Sequence, residues 1–175
     1  MSEVAVARTG TSPSSEERFD AFVVARGDAL WRSAWLLTGD RHLAEDLVQT
    51  ALAKAWPKWS GIADEGRFEA YLRRTLFTTY VAWWRRKWNG ERPTEHPPER
   101  SATATDPDRS HDLMVALAGL PRMQRAVVVC RWFEDLSEEQ TAERLGISTG
   151  TVKSHGSRAL AALRSSPHLT EERDV

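Results

Sequence analysis

The chain has 175 residues, with 24 Lys and Arg against 25 Asp and Glu, a net charge of −1, 41% hydrophobic and 28% charged residues. That length suffices for one ordinary domain or two small ones. No apolar run reaches the roughly 18–20 residues that cross a bilayer, and the polar N-terminus lacks the apolar centre of a secretory signal. A cytoplasmic chain without membrane insertion is expected. The single cysteine, Cys130, excludes an internal disulfide, and the five histidines are scattered. Neither a metal site nor a cofactor is therefore expected. Cys130 ends the apolar run Ala126 to Cys130, where a buried structural thiol is the natural reading.

The net charge hides an uneven distribution. From Tyr71 to Gly90 there are five cations (Arg73, Arg74, Arg85, Arg86, Lys87) and no acid. From Ile147 to Arg164 there are three (Lys153, Arg158, Arg164), again with no acid. The acids lie in the N-terminal tail, at Glu45-Asp46, from Asp64 to Glu69, between the two halves, and from Glu134 to Glu143. Two basic patches on an otherwise acidic body suit a nucleic-acid binder, because phosphate contacts are local.

In chain order, residues 1–15 are rich in Ser, Thr, Ala and Gly without periodicity and read as a disordered tail. Helical spacing starts near Glu16 and runs to Leu37 through Phe19, Phe22, Val23, Leu30 and Ala34, stopped by Thr38-Gly39-Asp40. A second helix is expected from about His42 to Trp56, ended by Pro57. After a turn-rich stretch from Lys58 to Gly66, a third runs from about Arg67 to Trp88. Nothing alternates with period two over a useful length, so the chain reads as all-α. Residues 91–110, with Pro93, Pro97, Pro98 and Pro107, read as a flexible linker. At about 3.1 Å per residue such a segment spans roughly 60 Å. Two small helical domains follow, 16–90 and 111–166, with a tail over 167–175. In the second, Pro121 opens a helix from Arg122 to Glu134.

The segment LSEEQTAERLGISTGTVKSHGSRALAAL, from Leu136 to Leu163, has the signals of a helix-turn-helix. Ser137 and Gln140 form a capping box, and Glu138 and Glu139 sit at the positive end of the helix dipole. Gly146 ends the first helix in a conformation with positive φ, and Ser148 caps the second. Ala142, Gly146 and Val152 fix the close approach, the corner and the inward contact. Leu145, Ile147, Leu160 and Leu163 are expected to complete the core. The second helix would then expose Thr149, Thr151, Lys153, Ser154, His155 and Arg158, a set suited to base edges and phosphates of duplex DNA. A plain helical hairpin explains these signals less well, because the cap, corner and inward valine agree together.

The stretch FEAYLRRTLFTTYVAWWRRKW interleaves Tyr71, Phe77, Tyr80, Trp83, Trp84 and Trp88 with arginines. Aromatic faces beside cations suit unpaired bases, with stacking worth about 1–3 kcal/mol per base. Phe68, Leu72, Leu76 and Tyr80 also mark an inward stripe, leaving two or three rings for nucleic acid.

Together, AEDLVQTALAKAW (Ala44 to Trp56), the Arg/Trp-rich helix, the polar linker and LPRMQRAVVVCRWFEDLSEEQTAERLGISTGTVKSHGSRALAALR resemble an extracytoplasmic-function sigma factor of the sigma-70 family, of the Trp-rich type common in actinobacteria. The resemblance covers about Phe19 to Leu163. It implies a subunit that binds core RNA polymerase and directs it to promoters. It further implies a monomer within the holoenzyme, an anti-sigma partner, and no catalytic residue. By resemblance, Asp46, Leu47, Gln49, Leu52 and Trp56 dock on the polymerase clamp. Arg73, Arg74, Thr78, Tyr80, Trp83, Trp84, Arg85, Arg86 and Lys87 fall in the part that opens and reads the −10 element. Ser148, Thr149, Thr151, Lys153, Ser154, His155 and Arg158 fall in the helix that reads the −35 element. The chain departs from the family at Leu52, where Phe is frequent, at Thr78, where Asn is common, and at Ala82, near a common Asp.

Two other classes fit less well. A response-regulator effector with a similar GTVKSH segment would carry a parallel α/β receiver, and no strand runs occur here. An enzyme would show a nucleophile–base pair, a metal cluster or a phosphate-binding glycine loop, and none is found in the sequence.

Overall fold

A computed structural model describes residues 12–88 and 107–170, with side chains for 12–86 and 110–169. In these residues the regular structure is helical throughout. The order is α1 (Ser15–Thr38), α2 (Arg41–Ala55), a 3-10 segment (Trp56–Gly61), α3 (Glu65–Trp88), α4 (Pro107–Ala118), α5 (Arg122–Val128), a π-helical turn (Val129–Phe133), α6 (Glu138–Leu145), α7 (Thr149–Arg164) and α8 (Pro167–Thr170).

Helix α1 starts inside the expected tail. Ser14 accepts from the Glu17 amide while Glu17 reaches back to the Ser14 amide, a complete capping box. Its end is as read: Gly39 takes φ 68° and closes the last turn on the Trp35 carbonyl. Asp40 then caps α2 through the Leu43 amide. The turn-rich stretch holds a core residue. Trp59 is buried, donates Nε1–H to the Ser15 carbonyl at 2.9 Å, and meets Phe19, Phe22 and Phe68 edge-on or tilted. Pro57, at the start of the 3-10 segment, tightens the chain and aims Trp59 inward rather than only ending α2.

Three further expectations change. The last four residues assigned to the linker form the first turn of α4, because Pro107 suits a helix start. The helix after Pro121 does not run regularly to Glu134: it widens into the π-helical turn at Val129. This turn carries Glu134 N–H to the Val129 carbonyl, and Asp135 then takes φ 52° to redirect the chain into α6. The expected tail begins with α8, a single turn that packs on α4 and α7. Residues 1–11 and 171–175 of the tails, and 91–106 of the linker, lie outside the described residues.

The helix-turn-helix is as read at its caps and corner. Ser137 and Gln140 bond reciprocally, Gly146 has φ 66°, and Ser148 accepts from the Thr151 amide. Ala142, Leu145 and Val152 are buried, while Ile147, Leu160 and Leu163 are only half-buried. Gly156 and Ala159 take the inward positions, where a Cβ on Gly156 would meet Trp132 at 3.5 Å and Val127 at 3.7 Å in ordinary van der Waals contact. Cys130 is fully buried, and burial pushes its thiol up to about 12.

The two halves pack against each other. Helices α1, α2 and α3 form one bundle, α5, α6 and α7 the other, and α3 meets α6 while α1 meets α5 and the π-helical turn. Trp35 and Leu36 of α1 join the second cluster of Met114, Leu117, Leu120, Val128 and Ala159.

The two left-handed glycines differ usefully. A Cβ on Gly146 meets nothing within 4 Å, so Gly146→Ala is expected to cost only the added left-handed backbone strain, about 1–2 kcal/mol. A Cβ on Gly39 meets Arg125 Nη2 at 3.2 Å, so Gly39→Ala is expected to cost more in urea unfolding. In the folded chain Cys130 is expected to resist maleimide near neutral pH and to react fully in denaturant.

Candidate nucleic-acid interfaces

Helix α7 presents one face to solvent because Val152, Gly156 and Ala159 hold the opposite face inward. Thr149, Lys153, Ser154 and Arg158 are exposed, with Lys153 66% so. Ser148 is spent as the cap, and Thr151 is half-buried with its hydroxyl 2.8 Å from that of Ser148. His155 is half-buried, and its Nδ1 is buried without a hydrogen-bond partner among the described residues. Lys153 Nζ lies 3.5 Å from Glu138 on α6. The surface open to a groove is therefore narrower than the sequence implied: Thr149, Lys153, Ser154 and Arg158, with His155 at its edge.

The C-terminal part of α3 sorts its aromatics by helical phase. Leu72, Leu76, Phe77 and Tyr80 point into the core. Tyr80 is 1% exposed, so this ring offers no stacking face, a correction set by its place on the inward stripe. Burial pushes its phenol up, while the guanidiniums of Arg125 and Arg122 pull it down. Trp83 and Trp84 are half-buried, and Thr78, Arg85 and Arg86 are exposed. The Thr78 hydroxyl donates to the Thr75 carbonyl at 3.1 Å. The side chains of Lys87 and Trp88 lie outside the described residues. A cleft of about 280 Å³ opens between α2 and α3, lined by Leu43, Asp46, Trp83, Trp84 and Arg86. It joins an aromatic wall to a carboxylate and a guanidinium.

Two arginines expected to face DNA are held by acids. Arg73 pairs with Glu69 at 3.0 Å and with Glu134 at 2.6 Å. Arg74 lies 3.5 Å from Glu143 in an exposed pair. The acidic stretch from Glu134 to Glu143, set apart in the sequence, thus faces the basic stretch of α3. The sequence also gave no weight to Arg122 and Arg125. Arg122 lies over the Trp84 ring, 3.2 Å from its centre. Arg125 is buried and donates Nη1–H to the Leu37 carbonyl at 3.0 Å. Their partners lie tens of residues away, so no local spacing marks them.

On α2 the expected docking residues separate by phase. Leu47 is fully buried and belongs to the core, again a correction. Asp46 and Gln49 are exposed, Leu52 is half-buried and Trp56 is 40% exposed, giving a mixed polar and apolar stripe. Trp56 also meets Phe19, with ring centres 4.6 Å apart.

Comparison with known proteins agrees with this arrangement. Residues 22–90 match the family model for sigma-70 region 2, and residues 116–165 that for sigma-70 region 4. An RNA polymerase sigma-E factor of Streptomyces avermitilis is 47% identical over 149 residues, covering 83% of each chain. The ECF RNA polymerase sigma factor SigL of Mycobacterium tuberculosis is 35% identical over 143 residues, covering 77% of this chain and 80% of that protein. Among solved structures, the sigma factor RpoE of Bartonella quintana, in complex with the anti-sigma factor NepR, aligns with a TM-score of 0.61 at 25% identity. That alignment covers 84% of this chain and 94% of that one. With region 2 built on α1 to α3 and region 4 on the helix-turn-helix, the chain belongs to the sigma-70 family as an extracytoplasmic-function sigma factor, a promoter-specific transcription initiation factor that works with RNA polymerase.

Proposed function

We propose a residue-level division of labour in which each half of the chain contacts promoter DNA separately. The observation that carries it is the presence of two exposed cationic surfaces on different helices, Lys153 and Arg158 on α7 and Arg85 and Arg86 at the end of α3. Thr149, Lys153, Ser154 and Arg158 read the −35 duplex, where hydroxyls and cations serve base edges and phosphates. Trp83 and Trp84, with Arg85 and Arg86, hold the opened −10 strand, trading lost base stacking for aromatic and phosphate contacts. Asp46, Gln49, Leu52 and Trp56 dock α2 on core polymerase. The domain limits 16–90 and 111–166 belong to the same reading, with α8 added to the second. No covalent chemistry is assigned to the chain. It works in the cytoplasm as a monomer within the holoenzyme, and an anti-sigma factor would have to cover these same surfaces. Among the described residues no helix is long and apolar enough to cross a membrane.

The direct test is to mix the chain with core RNA polymerase and a promoter library and map transcript starts. Promoter-selective starts are expected; absence of a polymerase complex, with a palindromic footprint by the chain alone, contradicts the reading. The double variant Lys153→Ala, Arg158→Ala is expected to lose −35 affinity while still binding polymerase. Removing two phosphate contacts should flatten the salt dependence of log affinity by about 1.8. Loss of polymerase binding as well would contradict separate roles for the halves.

A further inference from the structure

We propose that Glu138 is a positioning residue for −35 reading: it aims the Lys153 ammonium at a guanine edge in the major groove. The inference rests on the −35 reading of α7 above and names what sets base preference within it. Glu138 Oε2 lies 3.5 Å from Lys153 Nζ, and the pair joins the first turn of α6 to the open face of α7. Glu138 stands on a fixed base. Ser137 and Gln140 of the capping box flank it, and Thr141 and Ala142 of the next turn are buried. Its carboxylate also sits at the positive end of the α6 dipole, which favours the charged form. The neighbouring acid feels the same cation. The Glu139 carboxyl is held below its ordinary range by its own backbone amide and Ser137, and Lys153 adds to the pull.

Lysine carries a point charge with several donors on a flexible stem, so an unanchored ammonium serves any nearby phosphate. An ammonium that already faces Glu138 has one donor directed and less freedom left to lose. Its remaining donors are then placed for the O6 and N7 acceptors of a guanine and for the phosphate beside it. Such preorganisation turns a general cation into a discriminating one, because contact with the right base costs less ordering. Arg158 is the contrast on the same helix. It is exposed and has no ion pair among the described residues, so it suits a phosphate contact without base preference. An exposed pair such as Glu138–Lys153 adds little to stability. Its consequence is a direction for one side chain, and so a choice among bases.

The test uses the full chain assembled on core polymerase, with promoters changed one position at a time through the −35 element. At one guanine position the parent holoenzyme is expected to penalise the other bases by roughly tenfold. Lys153→Gln is expected to remove that penalty, and Arg158→Ala to weaken all promoters alike. Glu138→Gln is expected to cut the penalty about threefold, within the range open to an exposed pair. Affinity for the preferred promoter should change little, since the variant gains tolerance of the wrong base. In the Lys153→Gln chain, Glu138→Gln should add nothing. A guanine analogue with carbon in place of N7 should weaken the parent more than the Glu138→Gln chain. An unchanged profile, or a uniform loss across all promoters, on Glu138→Gln overturns the proposal. A change of profile that persists when Lys153 is absent overturns it too. Identical binding by the parent, Lys153→Gln and Arg158→Ala chains would contradict the −35 reading beneath it, and the proposal with it.

Discussion

A carboxylate taken out of water must be met by donors or lose its charge, and Glu134 meets that condition with groups drawn from three helices. Ser33, Arg73 and Arg144 converge on its two oxygens. Removing one partner of such a buried cluster typically costs about 3–5 kcal/mol, because an uncompensated charge remains. The position of Glu134 is set by the π-helical turn before it and by the positive φ of Asp135 after it. These local departures from regular helix place the carboxylate at the junction of α1, α3 and α6. Around that junction the two hydrophobic clusters meet, with Trp35 and Leu36 of α1 packed on the second half.

From this junction the exposed surfaces follow. The inward stripe of α3 is fixed by Leu72, Leu76, Phe77 and Tyr80, which turns Arg85 and Arg86 outward. Val152, Gly156 and Ala159 form the inward face of α7, which turns Lys153, Ser154 and Arg158 outward. Core packing thus selects the residues available to DNA, and the ion pairs decide which of them are engaged within the chain. The overall charge of −1 is compatible with DNA binding because the charges are unevenly placed, with Glu134, Glu138 and Glu143 set against cations and Arg85, Arg86 and Arg158 exposed.

The elements that rest on local chemistry were legible in the sequence. The capping box at Ser137, the left-handed corner at Gly146 and the cap at Ser148 depend on residues within a few positions of each other. Helical phase was only partly legible. Tyr80 already lay on the inward stripe, yet its aromatic-basic setting also suited a DNA contact; Leu47 was assigned to docking by resemblance although its spacing is that of a core residue. Trp59 was hidden by turn-forming neighbours, since a 3-10 segment breaks the 3.6-residue period. Long-range pairs left no local trace: Ser33 and Glu134 are 101 positions apart, and Arg125 and Leu37 are 88 apart.

The claim that unites these observations is that α3 and α7 touch different parts of one promoter when the chain is bound to polymerase. Photo-crosslinking from two sites in the holoenzyme tests it most directly, with a photoreactive residue at Arg85 in one preparation and at Ser154 in another. The account expects crosslinks to the −10 strand from the first and to the −35 duplex from the second. Crosslinks from both positions to the same DNA segment would contradict it.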